Sequence, residues 1–296
     1  MANVLKAEKQ MEILNLLVEG NSVRSVNRLT GAHLQTILDL LVKFGGQCRE
    51  FLDREMRDLT CEHLELDEQW TYVAKKQSRL TVDERAERHD IGDMFLWLAV
   101  DHDTKLVPTF AIGKRSADNA RRFCMDVASR FNFPNPHASD THNYGRGGHK
   151  PVVQISSDCF AAYPEAVDLA FGPYAKYGQI RKDYRNATMI YTPSEMVGAD
   201  RRNIRGIADD ELNTICTSHI ERFNGTTRLL MKRLNRLTYC FSKKLDNLAA
   251  AVAMHVAYYN FVWRPATLGG YKTPAKAAGV VDRCWSFAEL YERIQQ

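Results

Sequence analysis

Hydrophobic positions in the first fifty residues recur at near-helical spacing. Met11, Ile13, Leu14, Leu16 and Leu17 form one such run, and Gly20 closes it. Ser22 is placed to cap a second helix, Val23 to Leu29. Thr30-Gly31-Ala32 then makes a tight turn. A third helix follows with Leu34, Ile37, Leu38 and Leu41 on one face, and Gly45-Gly46 is its expected stop. Two short helices across a glycine-containing turn make the helix-turn-helix pattern, which small bundles that never touch DNA also show. In its DNA-binding use, the polar face of the third helix enters the major groove. His33, Gln35 and Thr36 lie on that face near the helix start and are the candidate base-reading residues.

From Leu64 the period changes to two. Leu64, Leu66, Trp70 and Tyr72 alternate with Glu65, Asp67, Gln69 and Thr71, which predicts a strand. Ser78 to Asp90 is a charged connector without apolar period. The apolar run Met94 to Val100, the cluster Asp101-His102-Asp103-Thr104 and the segment Lys105 to Ile112 predict a hairpin. Ser116 then caps an amphipathic helix carrying Ala120, Phe123, Val127 and Phe131. Asn132 to Lys150 is rich in Pro, Gly, His and Asn and is expected to be a surface loop. Its three histidines, His137, His142 and His149, are better explained by that composition than by a metal. Pro151 to Ser157 predicts a strand ending at Asp158, Ala161 to Phe171 a helix, and Tyr177 to Tyr184 a strand. Arg185 to Asn213 is expected to be irregular and basic. Long helices are predicted from Ser218 to about Leu237 and from Lys243 to Phe261. This order predicts an α/β fold, a mixed sheet flanked by helices behind a helical N-terminal segment.

Composition narrows the class. Hydrophobic residues make up 45% of 296, enough to bury a sizeable core. The apolar run Met94 to Val100, which none exceeds, is too short to span a bilayer, and no charged-then-apolar leader is visible at the start. Seven scattered cysteines without a C-x-x-C pair argue against a disulfide framework and against a thiolate zinc site. They fit a reducing cytoplasm. A formal net charge of +4 says little about partners, but its distribution says more. Glu50 to Glu68 holds eight acidic and two basic residues, whereas Thr214 to Asn247 holds seven basic and two acidic. Such blocks are solvated faces or binding surfaces.

Three carboxylates sit where chemistry is usually built in an α/β protein. Asp67 is expected near the end of the first strand, Asp158 ends a later one, and Glu221 stands one turn into the long helix. Brought together, they would hold two Mg²⁺ (or Mn²⁺) ions, which clamp the attacking and leaving oxygens of a displacement at phosphorus. Glu65 and Glu68 compete with Asp67; Glu65 shares its strand face, and Glu68 is expected to face the other way. On the long helix, Glu221, Asn224, Arg228, Lys232 and Asn235 fall on one polar face. Arg228 and Lys232 are thereby candidate phosphate-binding cations. Trp70 reads as a core residue rather than a base-stacking one.

These segments resemble the insertion-sequence-one type of bacterial transposases. Leu66-Asp67-Glu68-Gln69-Trp70 is similar to their first catalytic segment, and Ser157-Asp158 through Ala161-Tyr163 to the middle one. His219-Ile220-Glu221-Arg222-Phe223-Asn224, with Arg228, is similar to the third; Arg233 to Thr238 and Phe241 to Lys244 continue it. The resemblance runs over about residues 1 to 290. It implies a ribonuclease-H-like core with Asp67, Asp158 and Glu221 as a DDE triad, followed seven positions later by a basic residue, here Arg228. It further implies a helix-turn-helix domain (1–48), a linker (49–62), the catalytic domain (63–240) and a helical extension (241–296). The N-terminal cysteine zinc motif of some relatives is absent from these residues. The expected activity is Mg-dependent cleavage of element ends and strand transfer into target DNA, by a homo-oligomer without membrane or small-molecule cofactor. A ribonuclease-H-like nuclease or resolvase that cuts without joining is the alternative enzyme. A DNA-binding regulator without catalysis is the alternative outside enzymes.

Overall fold

The computed structural model describes residues 5–132, 153–182 and 199–296. The expected loop with its three histidines, and the segment 183–198, lie outside the described residues.

The chain opens with α1 (Ala7–Val18), α2 (Val23–Thr30) and α3 (Leu34–Glu55). Ser22 caps α2, its hydroxyl accepting from the Ser25 amide at 3.1 Å. Gly31, at φ +71°, supplies the left-handed residue that ends it. Ile13, Val26, Ala32 and Ile37 form a small core between these helices. The expected stop at Gly45-Gly46 is corrected: α3 runs through both glycines to Glu55, into the segment expected as a linker. Gly45 is there for packing. A Cβ on it would lie 2.4 Å from the Ala250 carbonyl oxygen, so only glycine lets the two helices approach so closely.

The sheet follows: β1 (His63–Val73), the short α4 (Val82–Glu87) in the charged connector, β2 (Gly92–Asp101) and β3 (Phe110–Gly113). Asp101 shapes the turn after β2, accepting from the Asp103 amide and the Thr104 hydroxyl. The second hairpin strand is shorter than expected, because Val107 bonds Asn260 instead of a strand neighbour. Next come α5 (Ala117–Ala128), β4 (Val153–Asp158), α6 (Tyr163–Phe171), β5 (Ala175–Lys182) and β6 (Ala199–Arg205). β6 corrects the expected irregular segment; it pairs antiparallel with β5. Its run of charges hides any apolar alternation and suits an edge strand. The chain ends with α7 (Ser218–Leu230), α8 (Leu245–Phe261), α9 (Pro274–Ala277) and α10 (Phe287–Gln295).

Strand order is β3-β2-β1-β4-β5-β6. β2 runs antiparallel to both its neighbours, β1 and β3, while β1, β4 and β5 are parallel. The result is a mixed six-stranded sheet flanked by helices, compatible with a ribonuclease-H-like fold. Leu64, Leu66 and Trp97 face α5 and α6. On the other side, Met94, Leu96 and Leu98 join α3, α7, α8 and α10 in the larger core. Thirteen of the seventeen residues of α8 are buried, so it reads as apolar all round.

The polar face of β1 is buried rather than wet. α7 lies over it, and each polar side chain takes up a group from that segment. Glu65 accepts from the His219 and Ile220 amides, both at 2.9 Å. Gln69 donates to the Asn224 carbonyl at 3.4 Å, and Thr71 to the Arg233 carbonyl at 3.3 Å. α7 also ends sooner than expected, at Leu230. Half-buried Arg233 explains the break: its guanidinium donates to Ser242 Oγ and the Asn247 carbonyl, pulling the chain back toward the end of β1. Lys232 is thereby taken off the face shared by Glu221 and Arg228. Among the described residues, no helix is long and apolar enough to cross a membrane.

Candidate active site

Two strands parting from each other build the centre of the site. β1 and β4 pair in parallel from His63↔Gln154 to Leu66↔Ser157. Beyond that point β1 stays with β2 and leaves β4. Asp67 and Asp158 are the next residue on each strand. Asp67 is therefore mid-strand rather than near a strand end, but it stands at the edge of a gap.

Each acid is held by its neighbours. Asp67 Oδ1 accepts from the Glu68 amide at 2.8 Å, and its Oδ2 from Asn224 Nδ2 at 2.7 Å. Asp158 Oδ1 accepts from the Phe160 amide at 3.1 Å. Gln179 Nε2 donates to the Asp158 carbonyl at 2.8 Å, fixing the strand end. Arg115 reaches Asp158 Oδ2 at 3.3 Å while lying over the Phe160 ring. Glu221 accepts from the hydroxyl of Thr217, the residue before α7, at 3.0 Å.

Glu68 is the unexpected member. It does face away from Asp67, toward α5 and α6, as the alternation implies. There Tyr163 Oη donates to it at 2.9 Å and Arg115 Nε pairs with it. Its oxygen nonetheless lies within 4.8 Å of those of Asp67 and Asp158, because the strands part at this level. Burial and the Asp158 charge push the Glu68 carboxyl up to about 7, against the pull of Arg115 and Tyr163. The sequence signal for Glu68 was its position beside Asp67; the period-two rule argued it away.

Glu221 stands outside this tight group of three but lines the same cleft, of about 480 Å³. The cleft thus brings together Asp67, Asp158, Glu221 and Arg228 from three elements far apart in the chain. It adds Arg115, Arg181 and Arg236, which the sequence reading did not single out. Arg236 lines the cleft, whereas Lys232 is exposed and does not line it. Arg228 Nε is buried with no hydrogen-bond partner among the described residues. Burial and the charge of Arg236 lower its pKa, and Asp67 opposes them. Two arginines that repel each other over a cleft are relieved by an anion between them. The oxygen-only donor set of Asp67, Glu68, Asp158 and Glu221 fits a hard divalent cation such as Mg²⁺ or Mn²⁺.

The candidate base-reading residues lie elsewhere. His33, Gln35 and Thr36 are exposed at the start of α3. His33 Nδ1 accepts from the Gln35 amide at 3.3 Å as the helix cap, and Gln35 Nε2 donates to Asp39 at 2.7 Å. Trp70 is half-buried against Tyr72 and Lys76, not a full core residue.

No protein-family profile matches this chain, and no curated protein matches it.

Proposed function

We propose that the protein is a metal-dependent DNA transposase of a bacterial insertion sequence. The convergence of Asp67, Asp158 and Glu221 on one cleft rimmed by arginines carries this reading. Acids that hold a cation beside cations that hold phosphate are what phosphodiester chemistry needs. The similarity of the same segments to insertion-sequence-one type transposases supports it.

Asp67 and Asp158 would hold the cations, with Glu68 beside them and Glu221 lining the same cleft. Bound Mg²⁺ supplies charge stabilisation on the attacking and leaving oxygens. Asn224 fixes the orientation of the Asp67 carboxylate, and Thr217 that of Glu221. Arg228 and Arg236 grip backbone phosphates, which positions the scissile bond. The oxygen of water attacks phosphorus at an element end, the bond to the 3′-oxygen breaks, and a 3′-hydroxyl is freed. The oxygen of that hydroxyl then attacks a target phosphodiester in the same cleft; the new bond to phosphorus forms as the target's own bond to its 3′-oxygen breaks, and the proton ends on that leaving oxygen. No side chain forms a bond to DNA, so no nucleophilic Ser or Tyr is required.

The start of α3 reads element ends through His33, Gln35 and Thr36, and Lys232 contacts the backbone outside the cleft. Bringing two ends together calls for a homo-oligomer on the DNA.

A joining assay tests the proposal: full-length protein, labelled DNA carrying the repeats that flank the coding region, a target plasmid and Mg²⁺. Labelled ends covalently joined to the plasmid are expected. Cutting without joining would favour a nuclease or resolvase. Binding without either would favour a regulator.

A further inference from the structure

Behind the acidic cleft lies a second group of ligating side chains with different chemistry. Glu65 comes from β1, His102 from the turn after β2, and His219 from the first turn of α7. One ligating atom of each lies within 4.8 Å of the other two. His102 Nδ1 is 2.8 Å from Glu65 Oε1, and the imidazole centroids of His102 and His219 are 4.1 Å apart and nearly perpendicular. Glu65 is 1% exposed.

We propose that Glu65, His102 and His219 form a transition-metal site, suited to Zn²⁺, that pins the β2–β3 turn to the start of α7.

Two imidazoles and a carboxylate are a donor set for zinc rather than magnesium. Three protein ligands leave one position for water. Glu65 Oε2 is already held by the His219 and Ile220 amides, which orients Oε1 toward the imidazoles. The Lys105 ammonium acts on the Glu65 carboxylate and competes for it. Glu65 and His219 each precede a cleft residue by two positions, Asp67 and Glu221, on the same strand and helix. An ion here would fix the start of α7 and with it the wall carrying Glu221.

The test uses Co²⁺ as a spectroscopic probe in the metal-free full chain, displaced by Zn²⁺. The Asp67→Asn/Asp158→Asn double variant removes the cleft as a competing site, so the result does not depend on the transposase reading. The expected result is strong visible absorption of nitrogen-ligated, low-coordinate Co²⁺ in both proteins. His102→Ala and His219→Ala should each weaken binding by about 100-fold or more. Should either variant fold poorly, imidazole nitrogen resonances of the wild-type chain decide, and those of His102 and His219 should shift on adding Zn²⁺. Absorption lost in the double variant, affinity unchanged in folded His102→Ala and His219→Ala, or unmoved resonances would each overturn the proposal.

Discussion

Asn224 Nδ2 donates to Asp67 Oδ2 at 2.7 Å, tying α7 to the mid-point of β1. Asp67 lies on the sheet and Glu221 one helical turn before Asn224, so this bond sets the distance between two walls of the cleft. Asn224 is buried and cannot be replaced by water without rearrangement. Asn224→Ala should leave the fold intact and lower metal-dependent cleavage by about 10- to 100-fold, the usual effect of losing an outer-shell partner. Cleavage at a series of Mg²⁺ concentrations measures this; partial rescue at high Mg²⁺ is expected, and full activity at low Mg²⁺ would contradict it.

The arginines of the cleft should be read by salt. Arg228→Ala and Arg236→Ala should each weaken binding to all DNA sequences alike. Each should also reduce the slope of log affinity against log salt by about 1. Gln35→Ala, at the exposed start of α3, should instead weaken binding to element ends more than to random DNA. Fluorescence anisotropy over a range of salt concentrations separates the two behaviours.

Gly45 gives a prediction about stability whose sign two effects contest. Alanine gains about 1 kcal/mol in helix propensity over glycine in a helix interior. A Cβ at Gly45, however, would lie 2.4 Å from the Ala250 carbonyl oxygen and 2.5 Å from its Cα. Overpacking a rigid contact costs about 1–3 kcal/mol, and backbone cannot swing away as a side chain can. Gly45→Ala should therefore destabilise the chain in urea unfolding, while Gly46→Ala, which meets nothing within 4 Å, should stabilise it.

His255 makes stability depend on pH. It is buried on α8 with neither ring nitrogen bonded among the described residues, and burial lowers its pKa to about 4. The unfolded chain takes up that proton near pH 6.5, so between 6.5 and 4 the unfolded state binds more protons. Stability from the neutral imidazole is present above about pH 6.5 and lost as pH falls toward 4, in all roughly 3 kcal/mol. Urea unfolding at several pH values should show this loss in the wild type and a correspondingly shallower one in His255→Leu.

Local signals predicted the elements well where period and cap agreed. β1 was legible from its alternation, α2 from Ser22 and Gly31, and α8 from its long apolar run. The failures were tertiary. Gly45 looks like a stop until α8 is packed against it. The end of α7 depends on where half-buried Arg233 finds its acceptors, which no local pattern encodes. Charged β6 has no apolar face to announce it. Asp67, Asp158, Glu221 and Arg228 were identified from element positions, and the structure brings all four to one cleft. Glu68 competes with Asp67 in the sequence and is set aside by the alternation, and Arg236 is not singled out there; strand parting and the early end of α7 place them at the cleft, and both arise only in the assembled fold.

The central claim is that the cleft formed by Asp67, Asp158 and Glu221 cuts DNA. Its most direct test is Mg²⁺-dependent nicking of element-end DNA by the wild type and by Asp158→Asn, a change that keeps the side chain's shape and removes its charge. Asp158→Asn should bind end DNA as tightly as the wild type and produce no detectable nick. Undiminished nicking by a folded Asp158→Asn protein would contradict the assignment.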